Sequence, residues 1–186
     1  MIQLKAIAIQ AKPTQGINDN RLALMVSKDV QGFFHVNVNC TDFAQSLSFY
    51  ELVGFEKILD FDDASGPARS FGQAGLGPVL GLPDDCDGRA ALLALSGESG
   101  STRLDLIEWK QPKLSAERRK SLAQPGIARI CLKTSDCDSV YSRLSSAGYV
   151  VYSPPARVYL GGGWIKVFCC EDPDGTVIEF MEFLGR

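Results

Sequence analysis

From residue 33 the chain alternates. In His35-Val-Asn-Val-Asn-Cys40 the polar side chains stand at 35, 37 and 39 and the apolar ones between them, a period of two that predicts a strand with one apolar face. After Asp42 the spacing changes: Phe43, Leu47, Tyr50 and Val53 fall on one side of a helix, with Asp42 as its cap and Gly54 as its stop. The same order returns 94 positions later, where Arg129-Ile-Cys-Leu-Lys-Thr-Ser-Asp136 precedes a helix carrying Val140, Leu144 and Ala147, and Gly148 ends it. A repeat of this length points to one supersecondary unit used twice.

The second halves of the copies also align. Leu104-Asp-Leu-Ile-Glu-Trp109 matches Ile178-Glu-Phe-Met-Glu-Phe183, so Asp105 corresponds to Glu179 and Glu108 to Glu182. Each copy therefore reads as strand, helix and three strands. The first set is expected near 33–39, 55–61, 90–95 and 103–109, and the second near 127–134, 149–152, 164–170 and 176–183. The first copy is longer by a Gly-, Pro- and Asp-rich stretch between Phe61 and Arg89, expected to be irregular. The implied organisation is an extension at 1–31, a first module at 32–110, a linker at 111–125 and a second module at 126–186. Within the extension, Ile2 to Ile9 suits an edge strand or a dimer arm, and Thr14 to Asn20 a loop.

Composition removes several classes of function. The 19 basic and 22 acidic residues are mixed, for a net charge of -3, and give no positive field for nucleic acid. No stretch approaches the roughly 18 apolar residues of a membrane span, and Met1 to Lys12 lacks a secretory pattern, so a cytoplasmic protein is expected. The six cysteines have no CxxC spacing and read as small apolar thiols; adjacent Cys169 and Cys170 should point to opposite faces of a strand. Glu117 to Lys120 reads as a solvated surface.

Alternation also separates a chemical face from a core face. His35, Asn37 and Asn39 share one side of the first strand, Arg129, Cys131 and Lys133 one side of its counterpart, and Asp105 and Glu179 oppose the apolar residues of the last strands. If the two modules curl into one cup, the equivalent positions His35, Asp105, Arg129 and Glu179 converge. Histidine with carboxylates suits a divalent metal, but the same carboxylates are equally served by Arg129 as an ion pair.

With His35 seven positions before Asp42, Ser48-Phe49-Tyr50 ahead of Val53-Gly54-Phe55, and Glu171-Asp-Pro-Asp-Gly-Thr-Val-Ile-Glu179, the chain resembles the vicinal oxygen chelate superfamily over about residues 32 to 183. This superfamily includes glyoxalase I, extradiol dioxygenases, methylmalonyl-CoA epimerase and the bleomycin and fosfomycin resistance proteins. The resemblance implies an α+β fold: two tandem βαβββ modules forming a cupped, half-barrel mixed sheet with helices on the outer face. It places His35, Asp105 and Glu179 on metal-ligand positions for zinc, nickel, manganese or ferrous iron. It also implies a small-molecule substrate and a homodimer. Arg129 is a departure, since members with a complete metal site usually have histidine there, and a guanidinium cannot ligate a cation.

Two functions follow. In the first, His35, Asp105 and Glu179 hold a metal for a lyase, isomerase or dioxygenase, Glu179 and Arg129 act in catalysis, and Arg129 orients an anionic substrate group, with Asn37, Lys133, Tyr159 and Trp164 completing the substrate site. In the second, Arg129 pairs with Asp105 and Glu179, no metal is held, and the cup binds or sequesters a small molecule. Gly161-Gly162-Gly163 reads as a hairpin or as a mobile lip walled by Tyr159 and Trp164. It is not a phosphate loop, because the Lys-Ser/Thr and helix that should follow are missing.

Overall fold

The computed structural model describes residues 32–62, 77–97, 102–113, 122–123 and 126–185. The chain divides into Met1–Gly32 and Phe33–Arg186, and the described residues other than Gly32 belong to the latter. The expectations for Ile2 to Ile9, Thr14 to Asn20, Glu117 to Lys120, positions 63–76 of the 61–89 stretch and much of the linker lie outside the described residues.

The first module runs β1 (His35–Cys40), α1 (Phe43–Leu52), β2 (Phe55–Asp60), β3 (Asp87–Leu95) and β4 (Arg103–Gln111), with a 3-10 turn at Pro78–Leu80 before β3. The second runs β5 (Ile130–Lys133), α2 (Cys137–Ser146), β6 (Ala156–Leu160), β7 (Gly163–Glu171) and β8 (Val177–Gly185). The sheets are ordered β1-β4-β3-β2 and β5-β8-β7-β6. In each, the first strand pairs parallel with the last and the others pair antiparallel. This is the expected α+β architecture, two tandem βαβββ modules forming a cupped mixed sheet with a helix outside each half.

The helices begin where the sequence says they should. Asp42 accepts from the Gln45 N–H at 2.9 Å and Asp136 from the Ser139 N–H at 3.0 Å. Gly54 and Gly148 follow the helix ends with φ of 107° and 81°, a conformation open to glycine at little cost. The buried face of α1 is Phe43, Ser46, Phe49 and Tyr50, rotated from the expected stripe so that Ser46 and Phe49 enter the core and Leu47 flanks it.

One strand differs from expectation. Residues 149–152 do not form the second strand of the second module, as only Val151 bridges to Cys170. The strand is β6, displaced beyond Pro154 and Pro155, which lack the N–H a ladder needs. Gly161 and Gly162, at φ 62° and 83°, turn β6 tightly into β7, the geometry of the expected hairpin.

Among the described residues the larger of two apolar clusters spans both modules, joining Val38, Phe43, Leu104 and Leu106 with Leu144, Phe168, Ile178 and Phe180, while Ala90 and Ile107 form a smaller one in the first module. Polar clamps cross the same boundary. Tyr50, fully buried, donates its hydroxyl to Asp172 at 2.9 Å, and Asp172 also accepts the Asp174 and Thr176 N–H groups at 3.0 and 2.7 Å. Asp174 accepts from the Thr41 N–H and hydroxyl at 3.0 and 2.6 Å. The Asp-Pro-Asp-Gly turn of the second module thus holds both ends of α1. In the other direction, Arg143 of α2 donates to the Leu52 carbonyl at 3.1 Å. Among the described residues no helix is long and apolar enough to cross a membrane.

Candidate functional site

The parallel pairing of β1 with β4 sets Asn37 against Asp105, and alternation puts His35, Asn37 and Asp105 on the cup side of the first sheet. His35 Nε2 stands 3.9 Å from Asp105 Oδ2, and the Asn37 side chain donates to the Asp105 main-chain carbonyl at 3.2 Å. The Asp105 side chain is only 13% exposed. Burial raises its carboxyl above the ordinary value, with His35 and Asn37 opposing that shift. Its Oδ1 is buried with no hydrogen-bond partner among the described residues, leaving an acceptor that burial makes costly to leave unmatched.

In the second module the pairing of β5 with β8 sets Cys131 against Glu179, and Cys169 of β7 flanks Glu179 on the other side. Arg129, just ahead of β5, brings Nε to 3.0 Å from Glu179 Oε1. The Glu179 carboxylate holds the Arg129 guanidinium above its usual range by hydrogen bond and charge. Burial, then Glu179, pushes the Cys131 thiol up to about 11, and burial likewise raises Cys169. Cys170 faces the core, where burial raises it to about 12. Thiols shifted upward are poor nucleophiles near neutral pH.

The four positions expected to converge therefore meet as two pairs, one per module. Arg129 pairs with Glu179 and not with Asp105, which faces His35 instead, so the double pairing expected of Arg129 is corrected to a single one. The two modules do share a cleft. At the seam where β1 runs beside the start of β5, Asn37, Asn39, Arg129, Asp174 and Thr176 line a cavity of about 290 Å³. Of the remaining expected site residues, Lys133 lies over the Phe183 ring at 5.8 Å. Tyr159 and Trp164 meet edge to face with ring centres 5.4 Å apart. They share the face of Lys166, whose ammonium meets Asp138 of α2, and so stand on the helix side of the sheet, away from Glu179.

The metal expectation can be tested on the donors. A divalent ion in such a site takes at least three protein ligands. Among the described residues no three His, Cys, Asp or Glu side chains gather into such a set. Glu179 is engaged by a permanent cation, and His35 and Asp105 supply two donors. The described residues do not fit a metal.

Sequence reading left Glu108 and Glu182 without a role, although it aligned them. Glu108 Oε2 accepts from the Phe43 N–H at 3.0 Å, and Glu182 Oε2 from the Cys137 N–H at 2.9 Å. Each last strand thus caps the helix of its own module, with a carboxylate at the positive end of the helix dipole.

The family model for the glyoxalase/bleomycin resistance protein/dioxygenase superfamily matches residues 32–180. The chain belongs to this superfamily. No curated protein sequence gives a match. A glyoxalase family protein from Bacillus cereus shares the fold with a TM-score of 0.68 at 19% identity, over 87% of this chain and 99% of that one. A glyoxylase/bleomycin resistance protein/dioxygenase domain from Frankia sp. gives 0.55 at 18%, over 84% and 99%. A glyoxalase I mutant from Zea mays gives 0.55 at 14%, over 81% of this chain and 44% of that one. At these identities the likeness of the superfamily structures is one of fold.

Proposed function

We propose that this superfamily member binds a small molecule on the cup face without a resident metal, and that His35 and Asp105 are the proton-transfer pair of that face among the described residues. The observation that carries this reading is the 3.0 Å contact between Arg129 Nε and Glu179 Oε1, which commits one expected ligand to a cation that cannot leave by deprotonation. The buried Asp105 Oδ1 then calls for a donor, such as a hydroxyl or amine of the ligand. The Arg129 N–H groups not turned to Glu179 suit an oxygen-bearing or anionic group, and Asn37, whose side chain donates to the Asp105 main-chain carbonyl, lines the shared cleft together with Arg129. Sequestration of such a molecule needs nothing more, and any chemistry is acid-base chemistry through His35. A homodimer belongs to the same reading, supported by β6, an edge strand exposed along its whole length.

Metal analysis of the full chain purified without chelators tests the proposal. The expected result is a substoichiometric metal content, with Arg129→His acquiring one divalent ion per chain and losing it again when His35→Ala is added. Wild-type protein that carries one ion per chain, lost in His35→Ala alone, would overturn it.

A further inference from the structure

A second cleft lies at the other end of the seam between β1 and β5, and neither charge pair uses it. Its volume is about 430 Å³, within the range of small-molecule pockets. Its floor is apolar, formed by Val36, Phe55, Leu95, Leu104, Ile130 and Leu132. Leu104 alternates with Asp105 on β4, and Ile130 and Leu132 flank Cys131 on β5, so this floor is the helix-side face of the strands that carry the cup residues on their other face. Leu104 and the two β5 residues belong to, or pack against, the common core, so the cleft is an opening into that core.

The charged residues lining it are both cations. Arg103 and Lys133 alternate with the floor residues and stand at its edge. Arg103 lies over the Phe34 ring at 4.9 Å and Lys133 over the Phe183 ring at 5.8 Å. Neither has a carboxylate partner among the described residues, and no acidic side chain lines the cleft. Contact with an aromatic face holds a cation in place without cancelling its charge.

We propose that this cleft binds a small amphiphilic monoanion, a carboxylate or sulfonate carried on an aliphatic or aromatic body. The body covers the half-buried Val36, Leu95, Ile130 and Leu132 of the floor, which otherwise keep part of their surface in water, and the anionic end meets Arg103 and Lys133 at the rim. A neutral molecule with the same body gains only the first contribution, and an amine meets like charge. The site is separate from the proposed cup function, which uses neither the floor residues nor Arg103 and Lys133.

Octanoate, octanol and octylamine, titrated separately into the full chain and followed by calorimetry and methyl NMR, test it. The expected result is saturable octanoate binding, about tenfold weaker binding of octanol and none of octylamine, with shifts centred on the Leu104, Ile130 and Leu132 methyls. In the double variant Arg103→Gln, Lys133→Gln, whose changes lie at the rim and leave the floor intact, octanoate affinity falls to that of octanol. Octanol binding and the melting temperature stay at the wild-type level. Equal affinity for the three probes, absence of saturable octanoate binding, or unchanged octanoate affinity in the double variant would each overturn the proposal. Shifts centred on His35 and Arg129 would do the same, and would assign the anion to the cup instead.

Discussion

His35 with Asp105 and Arg129 with Glu179 occupy equivalent positions on equivalent strands, and the two acids are equally buried, each 13% exposed. Their counter-groups differ. Arg129 makes a 3.0 Å hydrogen-bonded ion pair, whereas His35 stands 3.9 Å away and leaves one Asp105 oxygen without a donor. A duplicated scaffold has thus settled the same requirement, a cation beside a buried carboxylate, permanently in one half and conditionally in the other. The settled half is a fixed wall. The unsettled half has an acceptor left to offer.

The modules are also unequal at their boundary, and the largest expected effect tests that. Asp172→Ala strips the buried Tyr50 hydroxyl and two N–H groups of their acceptor and should destabilise the protein by roughly 3 kcal/mol. Arg143→Ala removes the exposed contact running the other way and should cost roughly 0.5 kcal/mol. Denaturant midpoints for the two variants compare them, and similar losses would break the asymmetry.

Next comes the charge contrast itself. Arg129→Ala leaves Glu179 buried without its cation and should cost about 1 kcal/mol, a figure reduced because the arginine side chain is 45% exposed. His35→Ala removes a longer, partly exposed contact and should cost about 0.3 kcal/mol or less. Thermal or urea unfolding of both variants at neutral pH reads the difference, and a larger loss in His35→Ala would reverse it.

Where the modules are alike, the effects should match. Glu108→Gln and Glu182→Gln each keep an acceptor near the helix start but lose its charge, for about 0.5 kcal/mol apiece. Unequal losses would show that the two helix starts are not held equivalently. The smallest effect is a slope. Because burial raises the Asp105 carboxyl above 3.8, the folded state binds more protons than the unfolded state between that value and the raised one. This contribution to stability is present below 3.8 and is lost as pH rises through the window. Asp105→Asn should remove this decline, seen as a flatter dependence of the urea midpoint on pH across the acid range.

Much of this was legible in the chain. Period-two runs and Asp caps gave β1, both helices and the paired last strands, because these depend on neighbours close in sequence. The family assignment followed from motifs that sit on those same elements. β6 was missed because Tyr149 to Tyr152 looks as strand-like as Ala156 to Leu160, and only pairing with β7 chooses between them. Glu108 and Glu182 were visible as equivalents, but their role needs each helix start to lie over its own last strand. The Tyr50–Asp172 bond joins residues 122 positions apart, and no local pattern announces it. The partner of Arg129 was equally out of reach, since alternation says which face a side chain takes and not which of two acids it meets.

The carboxylate caps make strand pairing and helix docking one decision. If β4 slipped by one residue against its neighbours, Glu108 would turn to the cup and the first N–H of α1 would lose its acceptor at the moment the sheet lost its apolar face. The same holds for Glu182 and α2. A misregistered folding intermediate is therefore penalised in two layers at once, and each half of the duplicated chain carries its own proofreader for register.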